Sequence, residues 1–299
     1  MTAPLVSVVL PTYNHAHLLR RSVGSVLNQT LSDWELHIVD NSSTDNTNEV
    51  LASFKDPRIH VHMINNDGII ARSRNLAIRH ASGTFVAFLD SDDCWYKDKL
   101  QRSTESLNSG HDLVCHGELW VGGDQPDRVV MYGPSSKASS RRLLHRGNCL
   151  STSAVTMERK LLQAVGGFSE DPTFVTAEDY ELWIRCAALG VRIAFIPLVL
   201  GEFRRSPSSA SSDIERNVAA EIAVCNHHFD MGTVGHSSRW QRRQRHARAW
   251  YGAGRSFAAR GNTDSAWSAF RRSLRLSPFL ARIWPAMLLL AIRRERIQR

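Results

Sequence analysis

Three carboxylates stand close together directly after an apolar run, in the segment Asp90-Ser91-Asp92-Asp93. The preceding residues 84–89 have the pattern of a buried strand, so Asp90 and Asp92 are predicted on a turn at its end. Two carboxylates at this spacing can converge on one Mg²⁺ or Mn²⁺ ion, whose remaining positions are filled by phosphate oxygens of a substrate. An isolated Asp-x-Asp is also common in solvated turns, so the pattern needs support from other residues.

A second acidic pair, Glu178 and Asp179, begins a segment whose apolar residues have helical spacing over residues 178–189. A carboxylate held beside a hydroxyl can take its proton during attack, and such general-base catalysis contributes roughly 10²–10⁴-fold in rate. The helix dipole also favours carboxylates in a first turn, which is the alternative explanation for this pair.

Four apolar runs alternate with helical patterns in the first 90 residues and predict the framework that positions these acids. The predicted strands are residues 5–10, 34–39, 59–63 and 84–89. Strands that alternate with helices form a right-handed, mostly parallel α/β sheet, in which ligands bind outside the carboxyl ends of the strands. Asp40 and the acids at 90–93 are predicted at that edge. The segment Pro11-Thr12-Tyr13-Asn14 is expected to leave the sheet.

Several short motifs occur in one order along the chain, and their combination is far more specific than any one of them. The motifs are residues 6–14 (VSVVLPTYN), Asp40, Arg74-Asn75, Ala81-Ser82-Gly83, Asp90-Ser91-Asp92-Asp93, Trp95, Val165-Gly166-Gly167-Phe168 and residues 177–183 (AEDYELW). With this combination the chain resembles the family 2 glycosyltransferases, whose nucleotide-sugar-binding domain has the GT-A fold. The resemblance covers roughly residues 4–205 and implies an α/β GT-A domain over residues 1–205.

The resemblance implies a role for each matched residue on the donor side. Asp40 would hydrogen-bond the nucleotide base, Arg74 would lie near the diphosphate, and Asp92 with Asp90 would bind Mn²⁺ or Mg²⁺. The positions implied for the nucleotide sugar are Pro11, Thr12, Tyr13, Asp40, Arg74, Asp90 and Ser91. A cation at Asp92 and a guanidinium at Arg74 would offset the charge that develops on a departing nucleoside diphosphate.

On the acceptor side, the resemblance implies that Asp179 is the catalytic base of an inverting reaction. The Gly166-Gly167-Phe168 segment matches the loop beside the acceptor site. Aromatic rings stack on sugars, so Trp95, Trp183 and Tyr180 are candidates for an acceptor platform, with core packing as an equal alternative for each. The residues assigned to the acceptor side are Glu178, Gly167, Phe168, Trp95 and Trp183.

The expected function is metal-dependent, inverting transfer of a sugar from a nucleoside-diphosphate sugar, with UDP as the expected nucleotide. The expected acceptor is a hydroxyl of a carbohydrate or a lipid-linked saccharide, in cell-surface polysaccharide or glycoconjugate synthesis. Nucleotidyl transfer on a similar fold would need a glycine-rich, basic phosphate loop after the first strand, and Pro11-Thr12-Tyr13-Asn14 is not one. A degenerate scaffold that only binds nucleotide sugars is a further alternative, against which the intact Asp40, Asp90, Asp92 and Asp179 argue.

The net charge of +8 in 299 residues is unevenly distributed. From Arg204 onward there are 18 basic and six acidic residues, against 19 and 23 in the residues before it. Residues 206–299 are predicted to form a basic α-helical tail, with one tetratricopeptide-like hairpin over residues 247–280 and a linker at 206–212. The tail contains no recognised nucleic-acid-binding module. We expect it to meet an anionic membrane surface or a protein partner, or to be a solvated surface.

Five scattered cysteines, without a Cys-x-x-Cys pair, indicate reduced thiols in a cytoplasmic protein. No signal peptide or transmembrane segment is predicted, because no run approaches about 18 apolar residues. The expected location is therefore the cytoplasm, with peripheral contact to the inner face of the membrane through the tail. The patterns predict no particular oligomeric state.

Overall fold

The computed structural model of the chain describes residues 3–123, 125–206 and 212–298, with side chains described up to residue 292 of the last helix. Residues 207–211 of the predicted linker lie outside the described residues. One central sheet is covered by helices on both faces, and further helices follow its last strand. The predicted α/β class is therefore confirmed.

The strands and helices alternate through the first half of the chain, as the apolar patterns predict. The strands among the described residues are β1 (Val6–Thr12), β2 (Trp34–Asp40), β3 (Ile59–Met63), β4 (Phe85–Phe88), β5 (Cys94–Trp95), β6 (Leu113–Val121), β7 (Arg128–Val130), β8 (Val155–Glu158) and β9 (Ile193–Arg204). The α-helices are α1 (Ala16–Leu27), α2 (Thr47–Ser53), α3 (Ile70–His80), α4 (Lys99–Asn108), α5 (Ser140–Arg146), α6 (Arg159–Ala164), α7 (Glu178–Ala188), α8 (Ile214–Asp230), α9 (Arg239–Ala259), α10 (Thr263–Leu276) and α11 (Ile283–Gln298).

The first four strands pair in parallel, with β1 between β2 and β4 and with β3 outside β2. The prediction that Pro11 and Thr12 leave the sheet is wrong, because β1 continues to Thr12, which pairs with Asp40 of β2. Proline fits at this point because Val9 is the last residue of β1 that pairs with β4. Beyond Val9 the edge of β1 that faces β4 needs no backbone N–H.

The remaining strands make the sheet mixed rather than mostly parallel. The strand order is β3-β2-β1-β4-β8-β6-β9-β5, with β7 beside β6. The strand β8 runs antiparallel to β4 and β6, and β5 and β7 run antiparallel to β9 and β6, whereas β6 and β9 are parallel. Antiparallel strands need no helical crossover. Residues 110–160 accordingly lack the regular alternation of the first half.

Alternate residues of β1 face two separate hydrophobic cores, which explains why this strand is apolar throughout. Val8 and Leu10 pack into one core with Trp34, and Val9 packs into the other with Phe88. Strands buried on both faces are typical of the parallel part of α/β sheets. The two layers of helices thus fix β1 and β4, whose ends carry the predicted site residues.

Helices α8 to α11 follow β9, and α9 packs along α10 as a helical hairpin. Gly261, with a φ of +76°, and Asn262 make the turn between them. A Cβ atom at Gly254 of α9 would lie 2.5 Å from the ring of Phe270 in α10, so this close approach requires glycine. The hairpin also packs against α8 and α5. In the part of the chain that the structure describes, no helix has the length and apolarity needed to cross a bilayer.

Candidate active site

The carboxyl ends of β1, β2 and β4 meet at one edge of the sheet, where the predicted donor residues lie. Thr12 at the end of β1 pairs with Asp40 at the end of β2. Asp90 follows Leu89, whose N–H donates to the Val9 carbonyl at 3.0 Å. The chain passes from β3 back across β1 to reach β4. This edge is therefore a topological switch point, which is a preferred ligand site in α/β sheets.

Three residues predicted to contact the nucleoside lie at this edge. Thr12 is buried, and its hydroxyl oxygen has no hydrogen-bond partner among the described residues. The side chain of Tyr13 is 51% exposed, so its ring is open to a ligand. The buried carboxylate of Asp40 accepts hydrogen bonds from the N–H of Ser43, at 3.2 Å, and from the Ser43 hydroxyl. The contacts from Ser43 leave acceptor positions of this carboxylate unused, but its side chain has no exposed surface.

Arg74 of α3 connects the two acidic motifs of the site. Its buried guanidinium donates to Asp90 at 2.8 Å and to Oε1 of Glu178 at 2.6 Å. Burial opposes the charge of Arg74, but the two carboxylates more than offset this effect and raise its pKa above the ordinary value. Arg74 thus lies beside the predicted metal turn. Glu178, assigned to the acceptor side from the sequence, is instead engaged by Arg74.

The acids that follow β4 are crowded. Burial, and then the charge of Asp90, raise the pKa of Asp92 to about 6. Burial, and then the charge of Asp92, hold the pKa of Asp93 well above its usual range, although the Ser153 hydroxyl donates to Asp93 at 2.6 Å. The backbone N–H of Arg204 donates to the other oxygen of Asp93 at 2.8 Å. A bound cation would relieve this repulsion between carboxylates.

The donor set suits a divalent cation that takes only part of its ligands from the protein. The described residues contain no group of three or more potential metal ligands. Asp90 and Asp93 are anchored by Arg74 and Ser153, whereas Asp92 accepts no side-chain hydrogen bond from any described residue. Mg²⁺ is commonly held by one or two carboxylates, with water and substrate phosphates completing its shell. Asp90 and Asp92 match this chemistry.

Asp179, the predicted base, lies in the first turn of α7 and is partly exposed. The Thr152 hydroxyl donates to its Oδ2 at 3.0 Å, and the Tyr180 N–H donates to its Oδ1 at 2.6 Å. Burial, and then the charge of Glu178, raise the pKa of Asp179 to about 6, while Arg74 acts in the opposite direction. A carboxylate with this pKa is ionised at neutral pH and basic enough to take a proton from an attacking hydroxyl.

The backbone just before α7 is strained at Thr176, which has a φ of +85°. β-Branched residues rarely adopt this region, and such outliers cost about 1–3 kcal/mol and concentrate at functional sites. In this conformation the Thr176 N–H donates to Oε2 of Glu178 at 2.8 Å. Because Arg74 bonds to the other oxygen, the carboxylate of Glu178 is fixed from two sides.

The Gly166-Gly167-Phe168 loop is fixed by Asn75, the residue after Arg74. Oδ1 of Asn75 accepts from the Phe168 N–H, and its Nδ2 donates to the Phe168 carbonyl, both at 2.9 Å. Gly167 has a φ of +73°, and an added Cβ atom would lie 2.7 Å from Oδ1 of Asn75. The Arg-Asn segment of α3 therefore positions this loop as well as the acidic site.

The aromatic residues considered for an acceptor platform lie in the core. Trp183 is fully buried, and it packs with Phe88 and with the nearly buried ring of Phe168. Trp95 is also buried, and its ring N–H donates to the Ser153 carbonyl at 2.8 Å. A ring without exposed surface cannot stack on a sugar, so the structure favours the core-packing alternative for these residues.

Three consecutive hydroxyl side chains ahead of β8 join the acids of the site, which the sequence patterns do not predict. The bonds run from Ser151 to Glu118 at 3.0 Å, from Thr152 to Asp179 at 3.0 Å and from Ser153 to Asp93 at 2.6 Å. The only sign of these contacts in the sequence is the run of three hydroxyl residues at 151–153. Its partners lie 27 to 60 residues away along the chain, so only the fold identifies them.

Two further residues of the site belong to no motif. Burial raises the pKa of Glu118 on β6 to about 7, with the charge of Asp90 acting in the same direction and the Tyr132 hydroxyl opposing it. The Nδ1 atom of His15 lies 2.7 Å from the hydroxyl of Ser91. In the sequence these two residues look ordinary, as a glutamate within a strand and a histidine before a helix.

Comparison with known sequences identifies the family of the chain. Residues 7–165 match the sequence model described as "Glycosyl transferase family 2". The UDP-Glc:alpha-D-GlcNAc-diphosphoundecaprenol beta-1,3-glucosyltransferase WfgD of Escherichia coli is 32% identical over 211 residues, which are 70% of this chain and 80% of that protein. The putative teichuronic acid biosynthesis glycosyltransferase TuaG of Bacillus subtilis (strain 168) is 31% identical over 215 residues, which are 70% and 82% of the two chains.

Comparison with solved structures agrees with the predicted GT-A fold. The mannosyltransferase PcManGT from Pyrobaculum calidifontis, solved in complex with GDP-Man and Mn²⁺, matches this chain with a TM-score of 0.62. The match covers 100% of this chain and 82% of that one, at 19% sequence identity. A likeness at this identity concerns the fold.

Proposed function

The chain belongs to glycosyl transferase family 2, and from this premise we propose that it transfers a sugar from a nucleoside-diphosphate sugar to a hydroxyl acceptor, with Asp179 as the base. The observation that carries the proposal is the position of Arg74. This buried side chain bonds to both Asp90 and Glu178, and so joins the Asp-x-Asp turn to the helix that begins with Asp179. Donor and base thus belong to one site.

The proposed donor is a UDP-sugar bound along the carboxyl edge of β1, β2 and β4. The exposed Tyr13 ring and the unpartnered Thr12 hydroxyl support a nucleoside there, with Asp40 directly behind them at the end of β2. The relative WfgD is named for a UDP-Glc donor, which favours UDP. Asp92 with Asp90 would hold Mn²⁺ or Mg²⁺, and when bound this ion supplies positive charge that stabilises a departing diphosphate. The Mn²⁺ in the PcManGT complex supports this assignment.

In the proposed reaction, the acceptor hydroxyl gives its proton to the carboxylate of Asp179 while its oxygen attacks the anomeric carbon. The bond from that carbon to the phosphate oxygen breaks, and its electron pair leaves with the nucleoside diphosphate. Attack opposite the leaving group inverts the anomeric configuration. The raised pKa of Asp179, and the bond from Thr152 that orients its carboxylate, support the role of base.

The proposed acceptor is a lipid-linked saccharide used in surface polysaccharide synthesis. The names of WfgD and TuaG support this setting. We place catalysis in residues 1–205 and assign to residues 206–299 peripheral contact with the membrane on which such acceptors reside. Exposed apolar side chains around α11 support this contact, among them Trp284 and Leu288.

The proposed donor site is tested by calorimetric titration with UDP, with and without Mn²⁺, and with GDP in parallel. The proteins are wild type, Asp92→Ala and, as a control for lost negative charge, Asp33→Asn, which alters an exposed acid before β2. We expect wild type and Asp33→Asn to bind UDP with equal affinity, and only in the presence of Mn²⁺. The affinity of Asp92→Ala for UDP should be lower by about tenfold or more. Equal affinities in all three proteins would contradict the site. The anomeric configuration of the product, read by proton NMR, then tests inversion.

A further inference from the structure

A cavity of about 350 Å³ lies outside the proposed active site, between α5 and α9. The helix α5 contributes Arg141, Arg142 and Arg146 to its walls. The helix α9 contributes Arg248 and the ring of Trp240, which is 65% exposed. We call this cavity the arginine pocket, because four guanidinium groups surround it.

The positive charge of the arginine pocket is not neutralised by acidic residues. Its four arginines form no salt bridge to any residue that the structure describes. Arg245, on the same helix α9, is by contrast paired with Glu221. Burial, and then the charge of Arg146, lower the pKa of Arg248, which shows that like charges face one another here. A bound anion would remove this repulsion and gain charge-assisted hydrogen bonds.

The helix α5, which lines the arginine pocket, contacts residues around the proposed base. The Tyr180 hydroxyl donates to the Leu143 carbonyl of α5 at 2.7 Å. Just beyond the end of α5, the Nδ2 atom of Asn148 lies 3.4 Å from Oδ2 of Asp179. Asn148 is only two residues after Arg146, a span of at most about 7 Å. The helix α5, which forms one wall of the pocket, therefore packs against α7, the helix that carries Asp179.

An exposed apolar surface begins on the other side of the arginine pocket. Arg282, just before α11, is near enough to Arg248 for its charge to lower the pKa of that residue. Large apolar side chains that are 42 to 86% exposed surround this point and continue along α11. They are Phe279, Trp284, Leu288, Leu289 and Ile292. A cationic pocket next to an apolar strip is complementary to a molecule with an anionic head and a hydrocarbon chain.

We propose that the arginine pocket binds the diphosphate of a polyprenyl-diphosphate-linked acceptor, with the hydrocarbon chain lying along α11. This site is distinct from the donor diphosphate site at Asp90 and Asp92. In treating the bound molecule as the acceptor, the inference rests on the proposed function. The diphosphate in the pocket would hold the acceptor sugar on the side of Asp179, and the arginines would distinguish a diphosphate-linked saccharide from a neutral one.

Farnesyl diphosphate, which carries a diphosphate and a prenyl chain but no sugar or nucleoside, is the probe. Its binding is measured by calorimetry in EDTA, so that divalent cations at the donor site do not contribute. The test protein is Arg142→Gln/Arg146→Gln. The matched control, Arg255→Gln/Arg271→Gln, removes the same charge from exposed positions outside the pocket. Thermal melting verifies that both fold, and Arg142→Gln alone replaces the double variant if it does not.

We expect wild type and the control variant to bind farnesyl diphosphate alike, and the pocket variant to bind at least about tenfold more weakly. Farnesol, which lacks the diphosphate, should not distinguish the variants. Equal affinity of the pocket and control variants for farnesyl diphosphate would overturn the inference. Retention on phosphatidylglycerol vesicles is measured for the same proteins. A pocket variant that is retained less on the vesicles but binds farnesyl diphosphate as the control does would also overturn the inference, since the arginines would then contact the membrane surface. Asp179→Asn should bind farnesyl diphosphate as wild type does. Failure of the base assignment would therefore appear in the transfer assay and not in the binding of the probe.

Discussion

The guanidinium of Arg74 lies 2.6 Å from Oε1 of Glu178, although 104 residues separate the two along the chain. This ion pair links α3 to α7, and the same guanidinium reaches Asp90 at 2.8 Å. The carboxylate of Glu178, next to Asp179, is thereby paired with a buried cation. The Asp-x-Asp turn and the helix that begins with the proposed base are thus held together by a single buried cation.

Arg74→Gln is expected to affect both stability and activity. It leaves Glu178 buried without its cation, and breaking a buried pair costs about 3–5 kcal/mol of unfolding free energy. It also loosens the turn at Asp90, and small displacements of reacting groups reduce rates by about 10²-fold. Urea unfolding and a sugar-transfer assay measure the two effects.

The control for Arg74→Gln is Arg102→Gln, which breaks the exposed pair with Glu105. Surface pairs contribute only about 0–1 kcal/mol, so this variant should be nearly as stable and active as wild type. Losses of equal size in the two variants would show that Arg74 has no special part in assembling the site.

The rate of transfer should depend on pH through Asp179. Burial raises the pKa of its carboxyl to about 6, and only the ionised form can accept a proton. At saturating Mn²⁺, so that protonation of Asp92 does not limit metal binding, we therefore expect kcat/KM to be level above pH 7 and to fall about tenfold per unit below pH 6. Thr152→Ala removes a hydrogen bond that favours the ionised form of Asp179. In this variant the fall of kcat/KM on the acidic side should therefore begin at a higher pH. Thr30→Ala, at an exposed position, is the control, and an unchanged limb in Thr152→Ala would exclude this hydrogen bond as a determinant.

Gly167→Ala and Gly166→Ala form a matched pair of substitutions. Both glycines have positive φ, 73° and 78°, but only at Gly167 would the new Cβ atom meet Oδ1 of Asn75 at 2.7 Å. Both variants carry the backbone penalty, and Gly167→Ala should in addition lose hydrogen bonds between Asn75 and Phe168. We expect it to be less stable than Gly166→Ala by about 1–3 kcal/mol in urea unfolding. Equal stabilities would mean that the loop shifts without cost.

Acid should destabilise the protein through four stacked histidines on β2, on β3 and at the end of α3. They are His37, His60, His62 and His80. Burial, and then the charges of His80 and His37, lower the pKa of His62 to about 4, while Glu35 acts in the opposite direction on His37. Because the folded-state value lies below the unfolded value of about 6.5, this stability is complete above pH 6.5 and falls as the pH drops towards 4.

Urea midpoints between pH 7.5 and 4.5 measure this effect. His62→Gln should flatten the decline, because it removes a group that gains a proton on unfolding. His236→Gln alters an exposed histidine and should leave the profile unchanged. Parallel declines in wild type and His62→Gln would contradict the role of the cluster.

The edge of the sheet that carries the proposed donor residues could be predicted from sequence, because buried strands have continuous apolar runs and Asp40 and Asp90 stand at the ends of two of them. The extent of β1 could not, because the local rule for Pro11 ignores where the neighbouring strand ends. The ion pair from Arg74 to Glu178 has no periodic signature and depends on how α3 packs near α7. Trp183 shows the same limit, since a ring in the core and a ring on a sugar platform have the same sequence pattern.

The central claim is that Asp179 takes the proton of the acceptor hydroxyl, and the turnover of Asp179→Asn tests it most directly. Transfer from the UDP-sugar is measured together with the affinity of the same sample for UDP. We expect turnover to fall by about 10²-fold or more while UDP binds as in wild type, because asparagine keeps the shape but cannot accept the proton. Near wild-type turnover in Asp179→Asn would contradict the claim.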